Sequence, residues 1–483
     1  MKAKSNIVLA SLGAVPLLMV LGNSMLIPVL PQMKSSLGIT QFQVSLVITL
    51  FSIPAGLAIP FAGFLSDRYS RKKIIVPSLI IYGVGGVIAL LAVLFMKKPY
   101  YAIMAGRVVQ GIGAAGTAPI AMALASDIFT SDNRSKALGI LEAANGLGKV
   151  ISPILGSLLG IISWYALFYL FPILCIPTAL AVWFLVKDPT TNQKSQSLKE
   201  YTSSLTKIFK NKGLHLMSTF FSGSVALFVL FGTLFYLSDY LEKKYGLEGV
   251  KKGLVLAIPV LGSSITSFLT GILTQRKKNK YKYLVIGGLI LLSLSNLMII
   301  FFIKNLYLFV TALAIGGVGA GLVLTCINTL ITSSVSTEER GMITALYGAV
   351  RFTGVAVGPP IFGILMEKSN TITFGFAGGL AILAAIVVFF FTDPKVSSED
   401  QTKNQKKDKK EEKNRFNYKK FILDTLMLRN TLGKLLVRPS LKPNKKDESI
   451  NPSNYKDNNG SDKDNANENN VDKNNINKDN VDK

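Results

Sequence analysis

Some twelve stretches of roughly 20 or more mostly apolar residues run through this chain, the length a helix needs to cross a bilayer. They fall at approximately 7–33, 42–66, 74–96, 101–128, 137–161, 164–187, 213–240, 249–275, 282–304, 307–335, 340–366 and 371–392. In 483 residues with a mean hydropathy of +0.40, this is more apolar surface than a water-soluble core of that size requires. Lipid gives backbone groups no hydrogen bonds, so each span must satisfy its own. Barrel strands would be near 10 residues long with alternating polarity, which these runs lack. The expected fold class is therefore all-α: a polytopic membrane protein of twelve transmembrane helices in two six-helix, pseudo-symmetric bundles.

The formal net charge of +25 would suit nucleic acid, but the Lys and Arg residues sit in short gaps between apolar runs and in the tail. Cytoplasmic loops of membrane proteins hold their cations there, and no nucleic-acid partner is expected. Cys175 and Cys326 both lie inside apolar runs, and the chain has a single histidine, His215, so neither a disulfide framework nor a metal or cofactor site is expected. The first run is too long for a signal-peptide core and contains Asn23, Pro28 and Pro31, which reads as a retained span.

The basic gaps follow even-numbered spans: DRYSRKK, TSDNRSK, a long KDPTTNQKSQSLKEYTSSLTKIFKNK, QRKKNKYK and STEER. Both termini are thus expected on the cytoplasmic side, with EKKYGLEGVKK after span seven as the exception. The long gap, 188–212, divides the chain into an N-terminal bundle (1–187) and a C-terminal bundle (213–394). Leu198, Tyr201, Leu205, Ile208 and Phe209 fall at helical spacing within it, which predicts a short helix on the inner membrane surface. The halves echo each other at an offset near 206 residues: Gly63-x-x-x-Asp67-Arg68 with Gly271-x-x-x-Gln275-Arg276, Gly111-Ile-Gly113 with Gly317-Val-Gly319, Arg134 with Arg340, Ser152-Pro153 with Gly358-Pro359. Parallel six-span repeats place a binding site between halves that rock against each other. From 395 to 483 the chain becomes a basic, largely disordered tail, with fifteen Lys or Arg against four acids in 401–446. Its stretch FNYKKFILDTLMLRNTLGKLLVRPS is either a surface attachment to anionic lipid or a solvated tail.

The segment Gly63 to Lys73, GFLSDRYSRKK, resembles motif A of the major facilitator superfamily. Arg107-Val-Val-Gln110-Gly111-Ile-Gly113 in span four resembles motif B. Gly139-x8-Gly148-x3-Ser152-Pro153-x2-Gly156 in span five resembles motif C, which is typical of the antiporters of that superfamily. Span one, LGNSMLIPVLP, is similar to the drug:proton antiporter pattern. The resemblance covers residues 1 to about 395.

It implies distinct tasks. Gly63, Asp67, Arg68 and Arg71 would form a gating charge latch that breaks as the halves rock, with Asp127 joining it; the alternative is that the cations only enforce topology. Ser70 stands where the family usually has Gly. Gly139, Gly148, Ser152, Pro153 and Gly156 would make a small-residue stripe that lets another helix approach and seals a leak path. Arg107 would take part in proton coupling, with Gln110 one turn on, or simply in inter-helix hydrogen bonding.

Ionisable groups at membrane depth are functional candidates by default. Glu142 is the carboxyl expected to carry a proton, unless it is a structural ion partner of Lys149 or Arg351. Asp239 lies near the far end of span seven. Asn23, Gln110, Lys149 and Arg351 are expected to line the substrate cavity. Asn23 and Ser24 occupy span one where many drug exporters carry an acid, and three mid-span cations face one clear acid, which keeps neutral, amphiphilic and anionic cargo open. Phe220, Phe221, Phe228, Phe231 and Phe235 of span seven serve either planar ligands or, more simply, packing.

No G-x-x-x-x-G-K-[ST] loop occurs, so a gradient must supply the energy. The resemblance implies a monomeric transporter of the cell membrane, not an enzyme. It would export small hydrophobic or amphiphilic compounds in exchange for protons by alternating access. An exporter or exchanger of an anionic metabolite, or a non-transporting anchor with a working basic tail, are the alternatives.

Overall fold

The computed structural model describes residues 3–129, 131–187, 198–273, 280–335 and 339–392. The tail, residues 188–197 of the linker, and the Gln275-Arg276 pair lie outside them. Among the described residues there is no strand, and twelve helices are long and apolar enough to cross a membrane. These spans, one to twelve, are Ser5–Leu37, Gln41–Arg68, Arg71–Phe95, Tyr100–Ile128, Lys136–Ile162, Ala166–Leu185, Thr202–Tyr245, Gly249–Ile272, Tyr281–Phe302, Leu306–Ser333, Arg340–Lys368 and Asn370–Phe391. Odd spans run away from the end that carries Asp67 and even spans run toward it.

Two spans are interrupted. Span one is helical over Ala3–Ser24, passes through a 3-10 turn at Ile27–Val29 and resumes over Leu30–Leu37, where Pro28 and Pro31 each lack a donor for the preceding turn. Span four breaks between Tyr100–Ala115 and Ala118–Ile128, at Gly116 and Thr117. The predicted short helix begins at Leu198 and meets span seven at a kink, where Lys212 leaves helical geometry (φ −132, ψ 17) before the helix resumes to Tyr245. Lys212 Nζ donates to the Ser334 carbonyl at 2.6 Å, anchoring that junction to the end of span ten.

The packing repeats between the halves. Span three lies against four and six, as nine lies against ten and twelve; one packs on five as seven packs on eleven. Across the halves, span two meets eleven and span five meets eight. Two aromatic rings of span seven pack on span eleven: Phe220 lies tilted against Tyr347 at 5.6 Å and Phe228 against Phe362 at 5.8 Å.

The two seams between halves differ along their length. Spans two and eleven touch from Gln41, whose Nε2 reaches Met366 Sδ at 3.7 Å, through Thr49, which donates to the Ala356 carbonyl at 2.6 Å, to the approach of Gly63 on Ala345. The seam of five and eight is tight at the end opposite Asp67, where a Cβ on Gly253 would lie 2.8 Å from the Pro153 carbonyl. Toward the Asp67 end of that seam, a Cβ on Gly139, Gly146 or Gly271 meets nothing within 4 Å. Ser238 of span seven donates to the Ile27 carbonyl of span one at 2.8 Å, a further contact at the closed end.

Span five reaches span one through small residues. A Cβ on Gly156 would lie 2.0 Å from the Met25 carbonyl, and one on Gly148 would lie 3.2 Å from that of Leu17. Backbone cannot yield as a side chain can, and overpacking of this kind typically costs about 1–3 kcal/mol. Gly156→Val is therefore expected to lose most of the monodisperse protein in size-exclusion chromatography, whereas Gly139→Val keeps it. Gly253→Val should wedge the seam of five and eight open, raising maleimide labelling of an introduced Ser157→Cys over the same cysteine alone; Cys175 and Cys326 are buried and give little background.

Candidate functional site

At the Asp67 end, three charges from three spans converge. Arg71 opens span three, where Ser70 caps the helix by accepting from the Lys73 amide at 3.3 Å. Its extended backbone, φ 168, needs no glycine, which explains how serine serves at that turn. Arg71 pairs with Asp67 at 3.2 Å and with Asp127 at the end of span four. Arg68, expected in the same latch, is exposed and lies over the Tyr69 ring at 5.9 Å. Lys72 donates to the Val186 carbonyl at 2.7 Å and lies over Trp183, so it caps span six. All three latch charges belong to the first half.

Deeper in the same half lies Arg107, with no exposed surface. Its guanidinium donates to the Val47 carbonyl (Nε, 2.9 Å), the Gly22 carbonyl (Nη1, 2.9 Å), Gln110 Oε1 (2.6 Å) and Asn23 Oδ1 (Nη2, 3.4 Å), and stands 4.5 Å over the Phe51 ring. No carboxylate takes part. A buried cation persists only when every donor finds an acceptor, and Gly22 supplies one because it lies in the last turn of the Ala3–Ser24 helix, where carbonyls lack a helical donor. Asn23 also donates to Ser52 at 3.3 Å, and Tyr82 closes the cluster by donating to the Leu18 carbonyl at 3.2 Å. Asn23 and Gln110, expected on the cavity wall, are thus enclosed, 6% and 0% exposed. The Gln110 amide nitrogen is buried without an acceptor.

A third group of charges lies along spans five and eleven. Glu142 is exposed and Lys149 half-buried, seven residues apart on span five, and Arg351 lies on span eleven. Among the described residues neither cation forms an ion pair with Glu142. Arg351 instead lies 5.6 Å over the Tyr347 ring. In span five, Ser152 donates to the Gly148 carbonyl at 2.7 Å, keeping its hydroxyl out of the seam, and Pro153 faces Gly253. Gly139 stands apart from the rest of the stripe.

Sequence reasoning missed the carbonyl acceptors and the Phe51 ring around Arg107, which carry no residue-type signal. It also missed two ion pairs at the opposite end. Buried Asp239 pairs with Lys243 at 2.9 Å, and buried Lys252 pairs with Glu242 at 2.6 Å. Two of the four lysines of EKKYGLEGVKK are thereby neutralised, the physical reason this one gap departs from the charge pattern. Among the described residues no cluster of His, Cys, Asp and Glu could hold a metal ion.

Comparison with known proteins places this arrangement. A Bacillus subtilis protein described as a bacillibactin exporter is 45% identical over 393 residues, covering 81% of this chain and 98% of that protein. The class C tetracycline resistance protein of Escherichia coli is 26% identical over 382 residues, covering 76% and 92%. The solved structure of a bacterial homolog of the human lysosomal transporter Spinster, inward-facing and unoccupied, superposes with a TM-score of 0.62 at 16% identity, over 82% of this chain and 98% of that one, and so shares the fold. The model of the Major Facilitator Superfamily matches residues 12–286 and 237–441, and this chain belongs to that superfamily.

Proposed function

We propose that this secondary transporter exports a siderophore, or a small molecule of similar chemistry, across the cell membrane by alternating access in exchange for protons. The observation that carries the cargo is the 45% identity to the bacillibactin exporter along nearly its whole length. The excess of mid-span cations over carboxyls supports the same reading, because it favours anionic cargo over cationic drugs. Exchange for protons is supported by the small-residue stripe of span five, the part of the chain that resembles antiporters. Arg107 and Glu142 are the groups proposed to link cargo movement to protons. Arg107 acts through the network that ties spans one, two and four, and Glu142 through its exposure between the halves. The Asp67 end is proposed to face the cytoplasm, with both chain termini on that side.

The second reading is export of neutral amphiphilic drugs, favoured by relatives such as the class C tetracycline resistance protein. Cells lacking other exporters separate the two. Expression of this chain is expected to raise extracellular bacillibactin under iron limitation and to lose that effect on adding an uncoupler. Lowered ethidium or tetracycline accumulation without bacillibactin release would replace the siderophore reading with the drug reading.

Asp67 and Arg71 are proposed as a latch that reforms when the halves rock. Asp67→Asn leaves Arg71 paired with Asp127 and is expected to cut export at least several-fold at an equal amount of inserted protein, judged by immunoblot of membranes. Undiminished export would confine the pair to topology.

A further inference from the structure

We infer that the second half holds one buried water between Thr233 of span seven and Asn296 of span nine, at the place where the first half holds the guanidinium of Arg107. The inference goes beyond the exporter reading and is independent of the cargo. At the 206-residue offset, Asn23, Arg107, Gln110 and Gly111 correspond to Val229, Leu313, Gly316 and Gly317. These four residues line one cavity inside the second half, with Pro259 of span eight on its wall. Leucine stands in for the cation and glycine for the glutamine, so the side chains that fill the first half's network are too short to fill this one. Span seven differs from span one as well. Gly22 offers Arg107 a carbonyl because the helix of span one stops at Ser24, whereas the corresponding residue, Phe228, lies within the helical stretch that runs from the Lys212 kink to Tyr245.

Polar side chains nonetheless line this space. Thr233 is 8% exposed and Asn296 1% exposed, and each has a buried oxygen, Oγ1 and Oδ1, with no hydrogen-bond partner in the protein. The Asn296 amide nitrogen donates to the Leu292 carbonyl at 2.7 Å, which leaves Oδ1 as the unpaired end. Thr233 does not turn its hydroxyl back onto its own helix, as threonine can. Buried oxygens without partners are costly, and a hydrogen-bonding molecule between these two relieves both. The free volume of the cavity is about 20 Å³, more than the roughly 10–15 Å³ that one water requires. A water there accepts from the Thr233 hydroxyl and donates to Asn296 Oδ1. Its second hydrogen meets Ser295 on the same wall, whose hydroxyl donates to the Ala312 carbonyl at 2.6 Å and so keeps a lone pair free. Buried waters typically make about three such bonds.

A neutral occupant also suits the wall, which carries no charged residue to balance an ion. The two halves are thus tied differently at matching places. A fixed charge binds spans one, two and four of the first half. In the second, a neutral molecule able to exchange its partners joins spans seven and nine.

Thermal unfolding of the purified full chain tests the bridge, because a bridge and two unbridged oxygens predict opposite signs. Removing a buried oxygen that has no partner stabilises a protein, whereas removing one end of a bridge strands the water and the other end. Thr233→Val and Asn296→Leu are therefore each expected to lower the unfolding midpoint, by roughly 1–2 °C. The double variant is expected to lose less than the two single losses combined, since neither oxygen is then left to satisfy. A rise in midpoint for both single variants overturns the bridge. A density map of the wild-type chain that resolves waters gives the direct reading: one peak within hydrogen-bond reach of Thr233 Oγ1 and Asn296 Oδ1 is expected, and a map without it overturns the site.

Discussion

A guanidinium with no exposed surface has to be held by the protein's own oxygens, and the first half of this molecule is arranged to do so around Arg107. Two of its acceptors are backbone carbonyls, one of them released because span one stops being helical two residues later. The break in span one and the cation in span four are thus one feature: straighten the helix and Gly22 loses its free lone pair, remove the cation and the carbonyl is stranded. Spans one, two and four are fixed relative to one another by this exchange, which lets the half move as a body.

Between the bodies the interactions are of another kind. Among the described residues, the seams consist of close backbone approaches and a few hydroxyl-to-carbonyl bonds, such as Thr49 to Ala356 and Ser238 to Ile27, rather than ion pairs. Each is individually modest, about 1 kcal/mol. Contacts of that size can be exchanged for others as the seam rolls. The ion pairs found among the described residues sit at the ends, where water helps to solvate whatever a broken pair exposes.

Much of this was legible in the sequence because hydropathy and length decide what enters lipid. The spans fall within a few residues of their apolar runs, except that the helix assigned to span seven starts eleven residues early, before the kink at Lys212, and the superfamily follows from GFLSDRYSRKK and its companions. Other features were out of reach for physical reasons. Arg68 and Arg71 look alike on paper, but only Arg71, at the start of the next helix, is aimed back at Asp67 and Asp127. Asn23 and Gln110 have the composition of a cavity wall, yet Arg107 draws them into its own network. Gly139 belongs to the spacing of the stripe without touching a neighbour. Carbonyl acceptors leave no trace in residue type, and the lysines after span seven pointed the wrong way until Asp239 and Glu242 were found beside them.

The junction of the linker helix with span seven has a mechanical meaning. A slack tether would let the two bundles reorient independently, but a short helix that kinks into span seven at Lys212, and is bonded there to the end of span ten, is tied to the second bundle. Any factor that grips that helix from the aqueous side would apply torque directly to the transport cycle.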